Sequence, residues 1–256
     1  MCFLFLFACS NDVFVANDDA GVGDANVDVT PQLDVAVPDV NVPETSDAGD
    51  VFTCADPPSG NVFCDDFDTQ STVATGWTST FVDGDADVVF DTVNSKSPPR
   101  SALFTTTPSE AGLSYVTLYY QDTAVTHTTT SVRAAARLHA IDTTVTVPLL
   151  QIQFEALGGA AIATSNGELV LTISTAATSS SIPLAPYALD VWHVLRIDFV
   201  SGAPSKVTAY VDDVALSSQS VTFASASILD INLGLAAPAS NAAMSADFDD
   251  FEYRSY

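Results

Sequence analysis

From Asn61 to the C-terminus the chain is a succession of short β-rich runs closed by Gly, Pro, Asn or Asp, and none carries a helical period. The first runs are NVFCDDF (61–67), GWTSTF (76–81), ADVVFDTV (86–93), SALFTTT (101–107), LSYVTLYYQ (113–121), TSVRAAARLHA (130–140) and PLLQIQFEA (148–156). They continue as ELVLTIS (168–174), VWHVLRIDFV (191–200), SKVTAYVDD (205–213), VALSSQSVTF (214–223), ILDINLGLAA (228–237) and SADFDDFEYR (245–254). Strands this short and this regularly broken must pair antiparallel and bury one face each, which predicts a two-sheet all-β sandwich. About a dozen strands is more than an immunoglobulin domain holds and suits a jelly roll.

Composition agrees. Acids outnumber Lys and Arg by 32 to 7, most of the acids are Asp, and no Lys or Arg precedes Lys96. Asp, Thr, Ser and Val favour turns and strands, whereas long helices draw on Glu and Lys. A net charge of −25 excludes nucleic acid and anionic membrane surfaces as partners, because both are held by clustered cations.

Residues 1–9, MCFLFLFAC, are apolar but too short to cross a bilayer, which takes about 20 residues. Residues 10–52 hold ten acids up to Asp50, no base, and scattered Pro and Gly. A segment like this repels itself and has little to bury, so it is expected to be a disordered, extended stalk. Leu6-Phe7-Ala8-Cys9 resembles the lipobox of bacterial lipoproteins, which implies a signal segment over 1–9 and lipidation at Cys9. Ser10 after that Cys resembles the outer-membrane sorting pattern. The resemblance places the protein outside the cytoplasm, lipid-anchored at the outer membrane or cell surface of a bacterium. The globular domain is expected over 53–256. At its entrance Cys54 and Cys64 bracket a Pro/Gly loop, which in an exported chain reads as a disulfide worth about 3 kcal/mol.

The stretch ALDVWHVLRIDFVSGAPSKVTAYVDDVAL carries the fold assignment. Period-two alternation sets His193, Leu195, Ile197 and Phe199 against Trp192, Val194, Arg196 and Asp198. Trp-His, alternating apolar residues, a polar turn and Tyr210-Val211-Asp212 together resemble the laminin G-like and concanavalin A-like lectin/glucanase domains. Asp213 stands where that pattern has Gly. INLGLAA and ADFDDFEY are similar to the glycine-containing and terminal strands of those domains, and NVFCDDFD to the opening strand that pairs with the last. The resemblance implies a fold rather than a function. His193, beside Leu195 and Ile197, is read as an edge residue bonded to a backbone carbonyl, not as a base.

Glucanases of the superfamily carry E-x-D-x-x-E on one strand. No such string occurs here, and the five Glu are Glu44, Glu110, Glu155, Glu168 and Glu252. Alternation instead gathers Arg133, Arg137 and His139 on one face of their strand, and Gln151, Gln153 and Glu155 on one face of the next. If those strands are neighbours, the six make one polar patch for a sugar. QIQ resembles the Gln-Ile-His strand of jelly-roll polysaccharide lyases, with Gln153 in place of the His. On that reading Arg133, Arg137, His139, Gln151 and Gln153 would carry a lyase reaction. Trp77, Tyr115, Tyr119, Tyr187 and Tyr210 are the aromatics available for stacking. Asp65, Asp66 and Asp68 would approach Asp247, Asp249 and Asp250 if first and last strands pair, a set of oxygens suited to structural Ca²⁺. Asp83, Asp85 and Asp87 offer a weaker set. The sequence therefore points to non-catalytic binding of a glycan or a surface protein. A lyase or glycoside hydrolase of the jelly-roll type, or a structural envelope component, are the alternatives.

Overall fold

A computed structural model describes Cys54 and residues 61–108, 113–123, 128–154, 158–223, 229–238 and 240–256. The expected signal segment, Cys9 and the stalk over 10–52 lie outside the described residues.

Fifteen strands form two antiparallel sheets, and no helix occurs among the described residues. The eight-stranded sheet contains β1 (Asn61–Asp65), β3 (Asp87–Asp91), β4 (Ser101–Thr106), β6 (Thr129–Ala140), β11 (Trp192–Val200), β12 (Ser205–Val211), β13 (Val214–Val221) and β15 (Met244–Ser255). Its order is β13-β12-β11-β6-β15-β4-β3, with β1 continuing the edge of β15 beyond β4. The seven-stranded sheet runs β10-β9-β8-β7-β14-β5-β2. Its members are β2 (Ser79–Asp83), β5 (Leu113–Asp122), β7 (Val147–Gln153), β8 (Gly158–Ser165), β9 (Glu168–Thr175), β10 (Ser179–Pro186) and β14 (Leu229–Pro238).

The alternation read in the sequence is what builds the core. Val132, Ala134, Ala136 and Leu138 of β6 meet Leu195, Ile197 and Phe199 of β11 on the inner side of one sheet. Leu150 and Ile152 of β7 lie beside Ile231 and Leu233 of β14 on the inner side of the other. Where β1 joins β15, Phe63 stacks on Tyr120 at 4.4 Å and meets Trp77 edge-on at 5.0 Å. The Tyr253 hydroxyl donates to Asp122, joining β15 to β5 across the sandwich. The expected disulfide is present, with Cys54 and Cys64 Cα atoms 5.6 Å apart.

Thirteen of the fifteen strands coincide with runs named from the sequence. β8 and β10 do not, for different reasons. In β8, GGAAIATS, six consecutive residues are buried, so no polar alternation marks it and its glycines read as a turn. β10, SSSIPLAP, is a mostly exposed edge strand with a bulge beyond Pro183, the setting in which a strand tolerates proline.

Candidate functional site

The expected six-residue patch does not form, because its two strands are not neighbours. β6 pairs with β11 and β15, whereas β7 pairs with β14 and β8. The chain leaving β6 crosses to the opposite sheet before β7 begins. Arg133, Arg137 and His139 face outward from the eight-stranded sheet, and Gln151 and Gln153 from the seven-stranded one. Glu155 lies outside the described residues.

On the seven-stranded sheet the register assembles a different polar face. One row runs Ser79, Tyr119, Asn232, Gln151, Ala161, Thr172, Ser181 across all seven strands. The next runs Gln121, Asp230, Gln153, Gly159, Ser174, Ser179. Tyr119 donates its hydroxyl to Asp230 Oδ1 at 2.6 Å. The Gln121 amide donates to both, at 2.6 Å to Tyr119 and 3.0 Å to Asp230. The Tyr119 ring meets Phe81 edge-on at 5.4 Å. Burial, reinforced by the Asp230 carboxylate, pushes the Tyr119 phenol well above its ordinary value, so it stays protonated at neutral pH. Ala161 and Ala163 face away from the core yet are buried.

Gln151, Gln153 and Asn232 are half-buried, and their side chains make no hydrogen bond among the described residues. An amide carries two donors and an acceptor, so the row offers hydrogen-bonding groups that no described residue takes up. This face also holds no Lys or Arg. Lys96 and Arg100 lie between β3 and β4, and Arg133, Arg137, Arg196, Lys206 and Arg254 lie on β6, β11, β12 and β15 of the other sheet. The sequence reading found Tyr119, Gln151 and Gln153 but missed Gln121, Asp230 and Asn232. The alternation in LDINLG carries the signal for Asp230 and Asn232, since Leu229, Ile231 and Leu233 must face inward.

The outer face of the eight-stranded sheet is closed by its own ion pairs. His139 lies between two carboxylates, Nδ1 at 2.6 Å from Asp190 and Nε2 at 2.6 Å from buried Asp247. Burial pulls the imidazole down, but the two carboxylates outweigh it and hold His139 above its usual range. Arg137 donates to Asn94 at 2.8 Å and lies 3.9 Å from Asp190. Arg196 stacks over Tyr210 at 3.8 Å and pairs with Asp198 and Asp213. Neither Asp190 nor Asn94 stands out in the sequence, as both sit on loops.

His193 does not make the expected contact. β11 is third from the sheet edge, and Nδ1 bonds the Asp212 carboxylate at 2.8 Å rather than a backbone carbonyl. Trp77 is also removed from the list of stacking aromatics. It is buried, and its Nε1 donates to Asp65 at 2.8 Å.

First and last strands pair as expected, but the six acids assigned to Ca²⁺ are engaged in hydrogen bonds within the fold. Asp65 accepts from Phe67 N and Trp77 Nε1, and Asp66 from Asp68 N. Asp68 accepts from Arg100 N, and Asp247 bonds His139. Asp249 accepts from the backbone N–H groups of Lys96, Ser97 and Asp250, and Asp250 from the Ser97 hydroxyl. Burial pushes Asp249 up to about 8 and Asp65 to about 6. Among the described residues no three His, Cys, Asp or Glu side chains are grouped to hold a metal ion, so the six, as placed, do not fit one as a set.

No protein-family model matches the chain, and no curated protein matches it by sequence. The fold is similar to that of an endo-beta-1,4-glucuronan lyase from the fungus Trichoderma reesei, with a TM-score of 0.57 at 14% identity over 71% of this chain and 92% of that one. It is also similar to the cellulose induced protein Cip1, with a TM-score of 0.58 at 15% identity over 76% of this chain and 97% of that one. At such identities the likeness defines the fold alone. The described domain is a two-sheet antiparallel jelly-roll sandwich.

Proposed function

We propose that the domain is a non-catalytic glycan-recognition module that binds through the outer face of its seven-stranded sheet, carried on an exported protein anchored by lipid at Cys9. The observation that carries this reading is the row of half-buried amides, Asn232 beside Gln151 with Gln153 one pleat away, which bond no side chain or backbone group among the described residues and lie next to Tyr119 and Phe81. Amides flanked by aromatic rings suit the donors, acceptors and apolar ring faces of sugars. An eliminative reaction on a uronate needs cationic or amide donors to neutralise the carboxylate and a base to take the proton. This face has no Lys or Arg, Gln153 stands in place of a His, and the Tyr119 phenol stays protonated. On the opposite face Arg137 pairs with Asp190, and Arg196 with Asp198 and Asp213.

A glycan array with the full chain tests the reading. Binding is expected, with loss in Gln151→Ala and Gln153→Ala, and no depolymerisation of bound polymers. Catalytic turnover, or binding unaffected by both substitutions, would sink it. Intact-mass analysis of membrane-expressed protein should show diacylglycerol on Cys9. Protein retaining Met1 would refute the anchor.

A further inference from the structure

Resting on that reading, we infer that the site takes neutral glycans and rejects uronate polymers, because the sandwich segregates its charge between its two faces. All seven Lys and Arg belong to the eight-stranded sheet or to the connection between β3 and β4. The seven-stranded sheet has none, and in the middle of its second polar row stands the Asp230 carboxylate, between Gln121 and Gln153. Neighbouring strands lie about 4.8 Å apart, so a ring bound by Gln153 and Asn232 sits within direct reach of Asp230. The Tyr119 and Gln121 donors converge on Oδ1, and Oδ2 accepts no hydrogen bond among the described residues.

The chemistry of a free carboxylate oxygen selects its partner. A sugar hydroxyl donates to it and gains a charge-assisted hydrogen bond. A uronate carboxylate has no proton to give and meets like charge at close range, in a partly desolvated place where the repulsion is poorly screened. The chain's net charge of −25 adds a long-range term of the same sign for any polyanion. On the opposite sheet Arg137, Arg196 and Arg254 are already paired with Asp190, Asp198, Asp213 and Glu252.

Affinity electrophoresis of the full chain tests this, in gels holding neutral polymers (β-glucan, mannan, galactan) or polyuronates (polygalacturonate, alginate, glucuronan). Retardation is expected in at least one neutral gel and in no polyuronate gel. Gln153→Ala should weaken the neutral retardation about tenfold. Asp230→Asn should open the face to uronates, raising their retention about tenfold at low salt. Polyuronate retardation by the native chain that Gln153→Ala abolishes would overturn the selectivity and leave the glycan site standing. No retardation in any gel, with the fold intact by circular dichroism, would overturn the glycan reading itself. Retardation lost in Arg137→Ala but kept in Gln153→Ala would move binding to the opposite face and overturn both.

Discussion

The Tyr119 hydroxyl donates to Asp230 Oδ1 at 2.6 Å, linking β5 to β14 in the middle of the face that carries Gln151 and Gln153. The bond holds the Asp230 carboxylate in place and keeps the phenol far from ionisation. Tyr119→Phe should retain the edge-on contact with Phe81 while removing the donor, at a cost of about 1 kcal/mol in urea unfolding. It should weaken glycan retention several-fold, and native retention should stay flat between pH 6 and 9. A rise or fall in that interval would mean that the phenol titrates in the binding range.

His139 predicts a second pH response, with a definite sign. Its folded pKa is raised by Asp190 and Asp247, so the folded state holds the proton more tightly than the unfolded chain does. The stabilisation is therefore complete below about 6.5, the ordinary histidine value, and is lost as pH rises through the folded value. In His139→Gln that dependence should disappear. The variant should be less stable than the native chain at pH 5.5 and converge toward it by pH 9, read from urea midpoints. An equal deficit at both pH values would show that the proton plays no part.

Asp249 acts over a different window. Its folded pKa is about 8, so between about pH 4 and pH 8 the native state binds a proton that the unfolded state has released. Stability then falls with rising pH across that window, by on the order of a few kcal/mol for so large a shift. Asp249→Asn should flatten the slope between pH 5 and pH 8, and a slope unchanged in the variant would count against the raised value. Calcium chloride added at pH 8 checks the same region. The placement of the six acids leads us to expect no shift in melting temperature, and a rise that Asp250→Asn removes would restore the ion.

The core and most of the strands were legible in the sequence because alternation is local: Leu195, Ile197 and Phe199 declare an inner face without reference to any other strand. The opening and closing strands were legible too, since β1 and β15 carry the family-like pattern at both ends. The site was only half legible. Gln151 and Gln153 announce an outward polar face, but which strands flank them depends on long-range pairing that no local pattern encodes. Assuming that consecutive strands adjoin put Arg137 beside Gln153, whereas crossing between sheets put Asn232 and Asp230 there instead. β8 was hidden by burial on both faces, and β10 by the serines and proline of an exposed edge.

Asp213 is the one departure from the family-like hairpin pattern, and the structure shows what it costs. Val211 pairs with Val214, leaving Asp212 and Asp213 as a two-residue loop with φ of 51° and 62°. Two left-handed residues in such a loop make a type I′ turn, which suits the twist of the flanking strands and favours Gly at its second position. Asp tolerates the left-handed region better than most residues but still pays a penalty of about 1 kcal/mol relative to Gly. In return its carboxylate gains a 3.5 Å ion pair with Arg196, but the Asp213 side chain is mostly exposed and such a pair contributes only a few tenths of a kcal/mol. The backbone term is the larger, so Asp213→Gly should stabilise the domain by roughly 0.5–1 kcal/mol. Asp212 should not behave alike. Its side chain bonds His193 Nδ1 and the Val194 N–H, both at 2.8 Å, so Asp212→Gly removes two bonds and should destabilise. Thermal unfolding of the two variants side by side checks the assignment, with opposite signs expected. A loss of stability in both would mean that the Arg196 pair outweighs the turn.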